Sequence, residues 1–375
     1  MRAPKVIHLI PYGAQPHAHA FVYETAALAR SAARRGWLVE VVLTPAAREQ
    51  EWIPELLALG LPIHYVRAES RMRATAAIAD LVDEPERVVL HTHHSAFDIP
   101  AALCAARRPE ARVIWHAHAA LKPQLKLRNS VKYRVVARKV DRIICVGPHV
   151  ADEIVALGAA AEKVVVFENA IDGARFPPVT KAERDAARKE LALPPNAIVL
   201  LHFAWDWHVK GGELFLEALK LLRPRDQRVL GLTIGGGAAA TARIRRLGLE
   251  DSALVLPARP DVRILYAAAD VFVACSRTEG APAPLALLEA LASGVPVAAT
   301  RIPGQSSFTL QLPLHEVADP EPAALARAVD GLLDRSDSLA PARAGVRERL
   351  DLYLNIDTWS EGLFEIYESS FVGGD

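Results

Sequence analysis

The segment SRTEGAPAPLALLEALASGVPVAAT, residues 276–300, decides the fold. It is almost wholly apolar, yet it contains Glu279 and Glu289, ten positions apart with two prolines between them. It follows a buried-strand pattern, VFVACS at 271–276, and the pattern after Pro284 is that of a helix that begins at that proline. Glu279 is therefore predicted on the loop before the helix, and Glu289 one and a half turns inside it.

The N-terminus of such a helix is suited to binding an anion. Its first amides have no intrahelical acceptor and the helix dipole is positive at that end, so a phosphate group binds there favourably. Carboxylates beside a phosphate site suit the hydroxyls of a ribose or a sugar, or a positively charged transition state. The alternative is a surface glutamate next to a glutamate that caps the helix, and the pair alone does not decide between them.

Short β-branched runs alternate with helical segments along the whole chain. The runs of the first half are KVIHLI, LVEVVL, PIHYV, RVVLHT, RVIWHA, RIICV and KVVVF, and those of the second half are AIVLLHFA, RVLGLTI, ALVLP, DVFVAC and VPVAA. This rhythm is typical of parallel sheets with crossover helices. We predict two doubly wound α/β domains, 1–178 and 179–356, and a last helix within 357–375 for which packing back on the N-terminal domain is one option. In such sheets ligands bind beyond the carboxyl ends of the strands, here in a cleft between two facing domains.

Composition excludes several classes of protein. The 375 residues are 51% hydrophobic, enough for two cores, and 44 basic residues balance 44 acidic ones, so no net field favours nucleic acid. Three widely spaced cysteines favour reduced thiols and a cytoplasmic protein over a disulfide or zinc framework. The first residues contain no signal-peptide core, and the apolar stretch at 281–300 is interrupted by prolines and a glutamate, so no membrane span is predicted.

Segment 276–300 resembles the signature of retaining glycosyltransferases of the GT-B fold, family four (glycosyl transferases group 1). Three further segments resemble the family in its own order: 140–178, which ends in ENAIDGARFPP, 210–222, KGGELFLEALKLL, and 232–276, which begins LTIGGG. The resemblance implies two Rossmann-like domains and transfer of a sugar from a UDP- or GDP-sugar to an acceptor hydroxyl. The acceptor would be a glycan, a lipid-linked molecule or a small molecule, and no metal or other cofactor is expected.

The resemblance also implies roles for individual residues. Glu289 would bind the ribose hydroxyls of the donor, and Glu279 with the amides of Gly280 and Ala281 would hold the hydroxyls of the donor sugar. Lys210 would meet the diphosphate. The role of Lys210 also follows from charge, because a lysine followed by two glycines, the first of them Gly211, at the start of a helix can approach and neutralise a leaving phosphate.

The chain departs from the family pattern in four places. Its two glutamates are ten rather than eight positions apart, and Trp205 stands where the family has an arginine that shares the diphosphate. Either His208 or Arg259 replaces that charge, or Lys210 and helix amides suffice. The N-terminal loop keeps one glycine, Gly13, for close approach of the backbone, and an alanine replaces a glycine in ENAID.

Two other functions stay open from the sequence. The departures are compatible with a catalytically impaired nucleotide-sugar binder that acts as a partner or regulatory subunit. A nucleotide-dependent dehydrogenase is disfavoured, because the first strand lacks Gly-x-Gly-x-x-Gly.

Seven of the 13 histidines follow or end strands of the first half: His17, His19, His91, His93, His94, His116 and His118. All are expected at the cleft edge of the first domain, and by resemblance His118 is the one near the donor sugar and the reacting centre. A zinc site built from HTHH and HAH is the alternative. No carboxylate or cysteine stands at a ligand spacing from them, so no metal is predicted.

Residues 122–142 form a basic segment. It has eight basic residues against one acid and interleaved apolar positions: Lys122, Lys126, Arg128, Lys132, Arg134, Arg138, Lys139 and Arg142. The pattern predicts an amphipathic helix that contacts anionic lipid at the inner membrane face or an anionic acceptor, or else a solvated helix face.

Overall fold

The computed structural model describes residues 3–12, 19–82, 87–119, 125–302, 312–335, 339 and 342–372. By its internal contacts the chain divides into two units, each with its own core. Unit 1 comprises Met1–Asn169, Gly280–Pro282 and Ile356–Asp375, and unit 2 comprises Ala170–Glu279 and Ala283–Asn355. The first division thus falls after Asn169, nine residues before the predicted boundary.

Unit 1 is built on a parallel sheet of seven strands in the order β3-β2-β1-β4-β5-β6-β7. Its strands are β1 Lys5–Leu9, β2 Leu38–Leu43, β3 Ile63–Tyr65, β4 Val88–His93, β5 Ala111–Ala117, β6 Arg142–Cys145 and β7 Val164–Val166. Its first six helices are α1 His19–Arg35, α2 Ile53–Leu57, α3 Arg71–Ala79, α4 Asp98–Ala105, α5 Lys126–Val135 and α6 Pro148–Ala156. Every residue of β1 and β4 is buried, and neither strand shows the regular alternation of apolar and polar residues that is typical of a half-exposed strand.

Unit 2 repeats this design with six parallel strands in the order β10-β9-β8-β11-β12-β13. Its strands are β8 Ile198–Ala204, β9 Val229–Gly235, β10 Ala253–Leu256, β11 Val271–Ala274, β12 Val297–Thr300 and β13 His315–Ala318. Its helices are α7 Lys181–Glu190, α8 Gly212–Leu222, α9 Gly237–Leu247, α10 Arg263–Ala268, α11 Leu285–Ala292, α12 Pro322–Asp334, α13 Ala342–Arg349 and α14 Asp351–Leu354. The prediction of two doubly wound parallel α/β domains is confirmed.

The last helix, α15 Ile356–Ser369, belongs to unit 1 and packs along α1. Leu363, Phe364 and Tyr367 are buried in a cluster that also contains Trp37. Around this apolar contact, Arg35 pairs with Glu361 at 2.7 Å and with Glu368 at 2.8 Å. The C-terminal helix therefore completes the core of unit 1.

Strand order locates the switch point of each sheet, the place from which successive parallel strands are added toward opposite edges of the sheet. It lies between β1 and β4 in unit 1 and between β8 and β11 in unit 2. Ligands of doubly wound sheets bind beyond the carboxyl ends of the strands at this point. Among the described residues, no helix is both long and apolar enough to cross a bilayer.

Candidate active site

Lys210 lies beyond the carboxyl end of β8, in the tight turn that leads to α8. The turn is closed by a bond from the Lys210 amide to the Asp206 carbonyl at 2.9 Å and by a bond from the Val209 amide to the Asp206 carboxylate at 2.9 Å. Gly211 follows with φ +71°, in the left-handed region. A Cβ on Gly211 would lie 1.9 Å from the carbonyl oxygen of Cys275, so this close approach of two backbones requires glycine.

Glu279 comes from the loop after β11, the other strand at the switch point. Its Oε1 lies 2.5 Å from Lys210 Nζ and accepts a hydrogen bond from Ser276 Oγ at 2.6 Å. Both side chains of the ion pair are 15% exposed. The Lys210 ammonium also lies 5.1 Å from the centre of the Trp205 ring, within range of a cation–π contact. A cation and a carboxylate, both partly shielded from water, are thus held together where a ligand of this sheet is expected.

Glu289 is the fifth residue of α11 and is buried. The hydroxyl of Tyr266, on α10, donates a hydrogen bond to its Oε2 at 2.8 Å. The helix begins at Leu285, one residue later than predicted, with Pro284 as its N-cap. Proline is suited to the start of a helix because its missing amide hydrogen would have no intrahelical acceptor there. The predicted and observed starts of the helix agree within one residue.

The other residues that were predicted to bind the nucleotide-sugar donor lie in several different environments. Gly280 and Ala281 are buried, and Gly280 belongs by its contacts to unit 1, where an added Cβ would lie 2.3 Å from the His118 carbonyl oxygen. Arg259 pairs with Glu190 at 2.8 Å, and His208 is an exposed residue of the Lys210 turn. Their predicted phosphate roles stay predictions, and Gly13 lies outside the described residues.

Unit 1 gathers its histidines around the carboxyl half of β1, β4 and β5. His93 Nδ1 lies 2.9 Å from His118 Nε2, and His93 Nε2 lies 2.9 Å from His8 Nδ1. The three rings form a hydrogen-bonded chain from the interior of β1 to the end of β5. Burial lowers the pKa of His118 well below its ordinary value, with a further contribution from neighbouring histidines, so the ring is neutral at neutral pH.

The structure corrects the expected position of two histidines. His91 and His116 lie inside β4 and β5 and are buried, rather than beyond the strand ends as predicted, and their rings stack at a centroid distance of 5.3 Å. His94 follows β4 with φ +60°. His17 lies outside the described residues, and of His19 the structure describes only that α1 begins there.

Only part of the basic segment is α-helical: Val136–Lys139 is a 3-10 helix, and Arg142 is the first residue of β6. The α-helical part is α5, Lys126–Val135. Its apolar residues Leu127, Val131 and Val135 recur every four residues and are 81%, 55% and 59% exposed. Lys132 is not on this face, because its ammonium pairs with the buried Asp98. The helix thus presents an apolar stripe to solvent. Lys122 lies outside the described residues.

Family models match both units. The model described as Glycosyltransferase Family 4 matches residues 25–175, and the model described as Glycosyl transferases group 1 matches residues 197–335. The chain belongs to the family 4, or group 1, glycosyltransferases. The family membership predicted from the resemblance of segment 276–300 is therefore confirmed.

Curated relatives of this family come from several bacteria. The chain is 30% identical to D-inositol 3-phosphate glycosyltransferase 1 of Catenulispora acidiphila over 64% of its own length and 60% of the relative's. It is 28% identical to the lipopolysaccharide core biosynthesis mannosyltransferase LpsB of Rhizobium meliloti, over 70% of its own length and 82% of the relative's. The chain thus spans about half to three fifths of the length of the inositol phosphate glycosyltransferases of Catenulispora acidiphila that it matches.

Solved structures share the fold at low sequence identity. HepE of Anabaena, in complex with UDP and glucose, superposes with a TM-score of 0.83 at 18% identity, over 98% of this chain and 100% of that one. WaaG, a glycosyltransferase involved in lipopolysaccharide biosynthesis, superposes with a TM-score of 0.71 at 17% identity, over 98% and 100%. The GT-B fold class is confirmed for this family 4 chain.

Sequence reasoning missed the partners of its own site residues. Ser276 and Tyr266 hold the two glutamates; Ser276 is the first residue of the signature segment but was given no role, and no motif marks Tyr266. Ser276 stands three residues before Glu279, and this short spacing within one loop could have predicted their hydrogen bond. Tyr266 is 23 residues from Glu289 in the chain, and only the packing of α10 against α11 brings them together.

Proposed function

We propose that this protein is a retaining glycosyltransferase that moves a sugar from a UDP- or GDP-sugar to an acceptor hydroxyl without a metal ion. The observation that carries the proposal is the Lys210–Glu279 ion pair at the switch point of the unit 2 sheet. Family membership supports the reaction, and the UDP and UDP-glucose in the HepE complexes support the class of donor.

In this proposal Lys210 stabilises the diphosphate as it leaves. Its ammonium lies at the start of α8, so cationic charge and helix amides act on the same developing negative charge. Glu279, held by Ser276, accepts hydrogen bonds from the donor sugar and stabilises the oxocarbenium-like transition state electrostatically. His118 is the neutral imidazole near the reacting centre. Retention of the anomeric configuration is inferred from the family resemblance. In this mechanism a phosphate oxygen of the leaving diphosphate acts as the base that deprotonates the acceptor hydroxyl.

Glu289 is proposed to bind the ribose. The carboxylate can accept from two hydroxyls, and the Tyr266 hydroxyl holds its Oε2 so that less rotamer freedom is lost on binding. Arg259 or His208 supplies further positive charge to the diphosphate, and Gly211 lets the backbone approach it.

The test is a comparison of Lys210→Met with Lys220→Met, because Lys220 is an exposed lysine of α8, the helix that follows the Lys210 turn. Transfer and donor hydrolysis are measured with UDP- and GDP-sugars, donor binding by thermal shift, and the anomeric configuration of the product by NMR. We expect Lys210→Met to lower kcat roughly 10²-fold or more and Lys220→Met to leave it unchanged. Inversion of the anomeric centre, or equal rates for the two variants, refutes the mechanism.

The second candidate function is a nucleotide-sugar binder that has lost transfer. The observation that favours it is Trp205 beside Lys210, in place of a second cation. Stabilisation by a nucleotide-sugar without transfer or hydrolysis, for every acceptor tried, would decide for this alternative.

We also propose that α5 contacts anionic lipid, which would place the enzyme at the inner face of the membrane. The support is the exposed stripe of Leu127, Val131 and Val135 beside the exposed Arg128 and Arg134. In flotation with phosphatidylglycerol vesicles, Leu127→Asp is expected to lower the bound fraction several-fold. The control is Leu352→Asp, in a leucine of unit 2 that is 76% exposed, and equal binding of both variants contradicts the proposal.

A further inference from the structure

Three histidines of unit 1 converge in the interior of its sheet. His8 of β1 and His91 of β4 are register partners in the parallel pairing, and His93 lies two residues further along β4 on the same face. The ring centroids of His8 and His91 are 4.9 Å apart, and those of His91 and His93 are 4.3 Å apart. One nitrogen from each of the three rings lies within 4.8 Å of the other two, and all three residues are buried.

The polar atoms of these rings are incompletely satisfied. His8 Nε2 and His91 Nε2 are buried and have no hydrogen-bond partner in the described part of the chain. Buried polar atoms in native proteins almost always have one, from protein, water or an ion. The cluster is therefore suited to a ligand that accepts imidazole lone pairs.

Two of the histidines have their second nitrogen engaged on the outside of the cluster. His91 Nδ1 lies 2.7 Å from the hydroxyl of Tyr367, and His93 Nδ1 lies 2.9 Å from His118 Nε2. Metal-binding histidines show this arrangement, with one nitrogen on the metal and the other hydrogen-bonded to an outer group that orients the ring. The outer bonds leave the Nε2 atoms of His91 and His93 facing the inside, where His93 Nε2 lies 2.9 Å from His8 Nδ1.

The protonation state of the rings suits coordination. Burial lowers the pKa of His8 to about 3, and burial together with neighbouring histidines lowers the pKa values of His91 and His93 well below the ordinary one. Neutral imidazole is the form that binds a metal. Nitrogen ligands favour zinc, nickel, cobalt or copper over magnesium or calcium, which prefer oxygen.

We propose that His8, His91 and His93 bind one transition-metal ion of the Zn²⁺ class, which ties β1 to β4 at the centre of unit 1. The ion has a structural role and takes no part in sugar transfer, so the proposal does not depend on the proposed function. A second group, His93, His116 and His118, shares His93 with the first. The first group is preferred because two of its members have oriented outer partners, whereas both ring nitrogens of His116 lack a partner among the described residues.

The test measures metal content in the full chain without a histidine tag. The protein is stripped with chelator, dialysed against micromolar Zn²⁺ or Co²⁺, and assayed by elemental analysis, by Co²⁺ absorption and by thermal melting. We expect one ion per chain and a melting temperature that rises with Zn²⁺ concentration, since a ligand that binds only the folded state stabilises it. In His91→Gln, binding should fall at least ten-fold and the thermal shift should vanish.

Two further variants distinguish this site from the other buried histidines. His116→Gln should retain the ion, and so should His202→Gln, a buried histidine of unit 2 whose Nε2 also has no partner among the described residues. Loss of the ion in His116→Gln but not in His91→Gln overturns the assignment in favour of the second group. If the wild-type chain binds neither Zn²⁺ nor Co²⁺ at a 100-fold molar excess of the metal, with the chelator removed, the metal site is refuted. Buried water would then be the partner of the histidine nitrogens.

X-ray absorption of the zinc-loaded wild-type protein keeps the proposal testable if His91→Gln does not fold. Three imidazole ligands at about 2.0–2.1 Å support the site. Two or fewer imidazoles refute it.

Discussion

Replacement of Gly211 by alanine tests the backbone approach that positions Lys210. Alanine at φ +71° costs about 1–2 kcal/mol for the left-handed backbone. Its Cβ would also lie 1.9 Å from the Cys275 carbonyl oxygen, whereas real Cβ contacts stay above 3.0 Å. One of the two backbones must therefore move by about 1 Å, which adds roughly 1–3 kcal/mol, as overpacking does in a dense interior. We expect unit 2 to lose about 2–5 kcal/mol of unfolding free energy.

Gly248→Ala is the matched control. Gly248 has φ +68° at the end of α9, and nothing lies within 4 Å of its added Cβ, so it keeps the left-handed cost without the clash. At about 2.1 cal/mol/K per residue, a unit of about 180 residues has an unfolding entropy near 0.4 kcal/mol/K. Scanning calorimetry should then show a decrease of about 5–13 °C for Gly211→Ala and about 3–5 °C for Gly248→Ala. Melting temperatures within about 1 °C of each other would refute the argument from close approach.

Three further substitutions test the site in unit 2 and two packing features of unit 1. Glu289→Gln keeps a hydrogen-bond acceptor but removes the charge, and should weaken nucleotide binding about ten-fold in titration calorimetry, near 1.4 kcal/mol. Lys132→Met leaves the buried carboxylate of Asp98 without its cation and should cost about 3–5 kcal/mol in urea unfolding. Phe364→Ala removes a ring that packs against Trp37 at 5.6 Å and should cost about 3–5 kcal/mol in the same assay.

Each of these changes has a control at an exposed position. Glu250→Gln should leave nucleotide binding unchanged, Lys181→Met should alter unfolding by no more than about 0.5 kcal/mol, and so should Val372→Ala. A Glu289→Gln variant that binds as tightly as wild type excludes the ribose role. Costs no larger than those of the controls would show that the Asp98 pair or the Phe364 contact contributes little to stability.

Local sequence patterns were sufficient for the fold class and for the placement of the main candidate residues. Strands buried on both faces are mostly apolar and lack the alternation of a half-exposed strand, so runs such as KVIHLI are recognisable without knowledge of their neighbours. Pro284 marks the start of α11 because proline has no amide hydrogen to lose in the first turn. The position of Glu289 inside that helix follows directly from the count of residues.

Contacts between distant segments were not predictable in the same way. The Lys210–Glu279 pair joins residues 69 positions apart, and the Tyr266–Glu289 bond joins two separate helices. Arg259, one of the candidates for the missing arginine, pairs with Glu190 on α7. Side-chain partners of this kind depend on how helices pack on the sheet, and a single sequence does not encode that packing in any local pattern.

The histidines of unit 1 show what the sequence pattern predicts and what depends on strand register. From the sequence alone, spacing argues against a metal, and His8 is an ordinary member of an apolar strand. The register of β1 against β4 places His8 beside His91, and the pleat of β4 places His93 on the same face. The sequence by itself determined the strands, their parallel arrangement and the family. Only the tertiary structure decided which side chains meet, because strand register and helix packing are set by the sum of many weak contacts across the whole core.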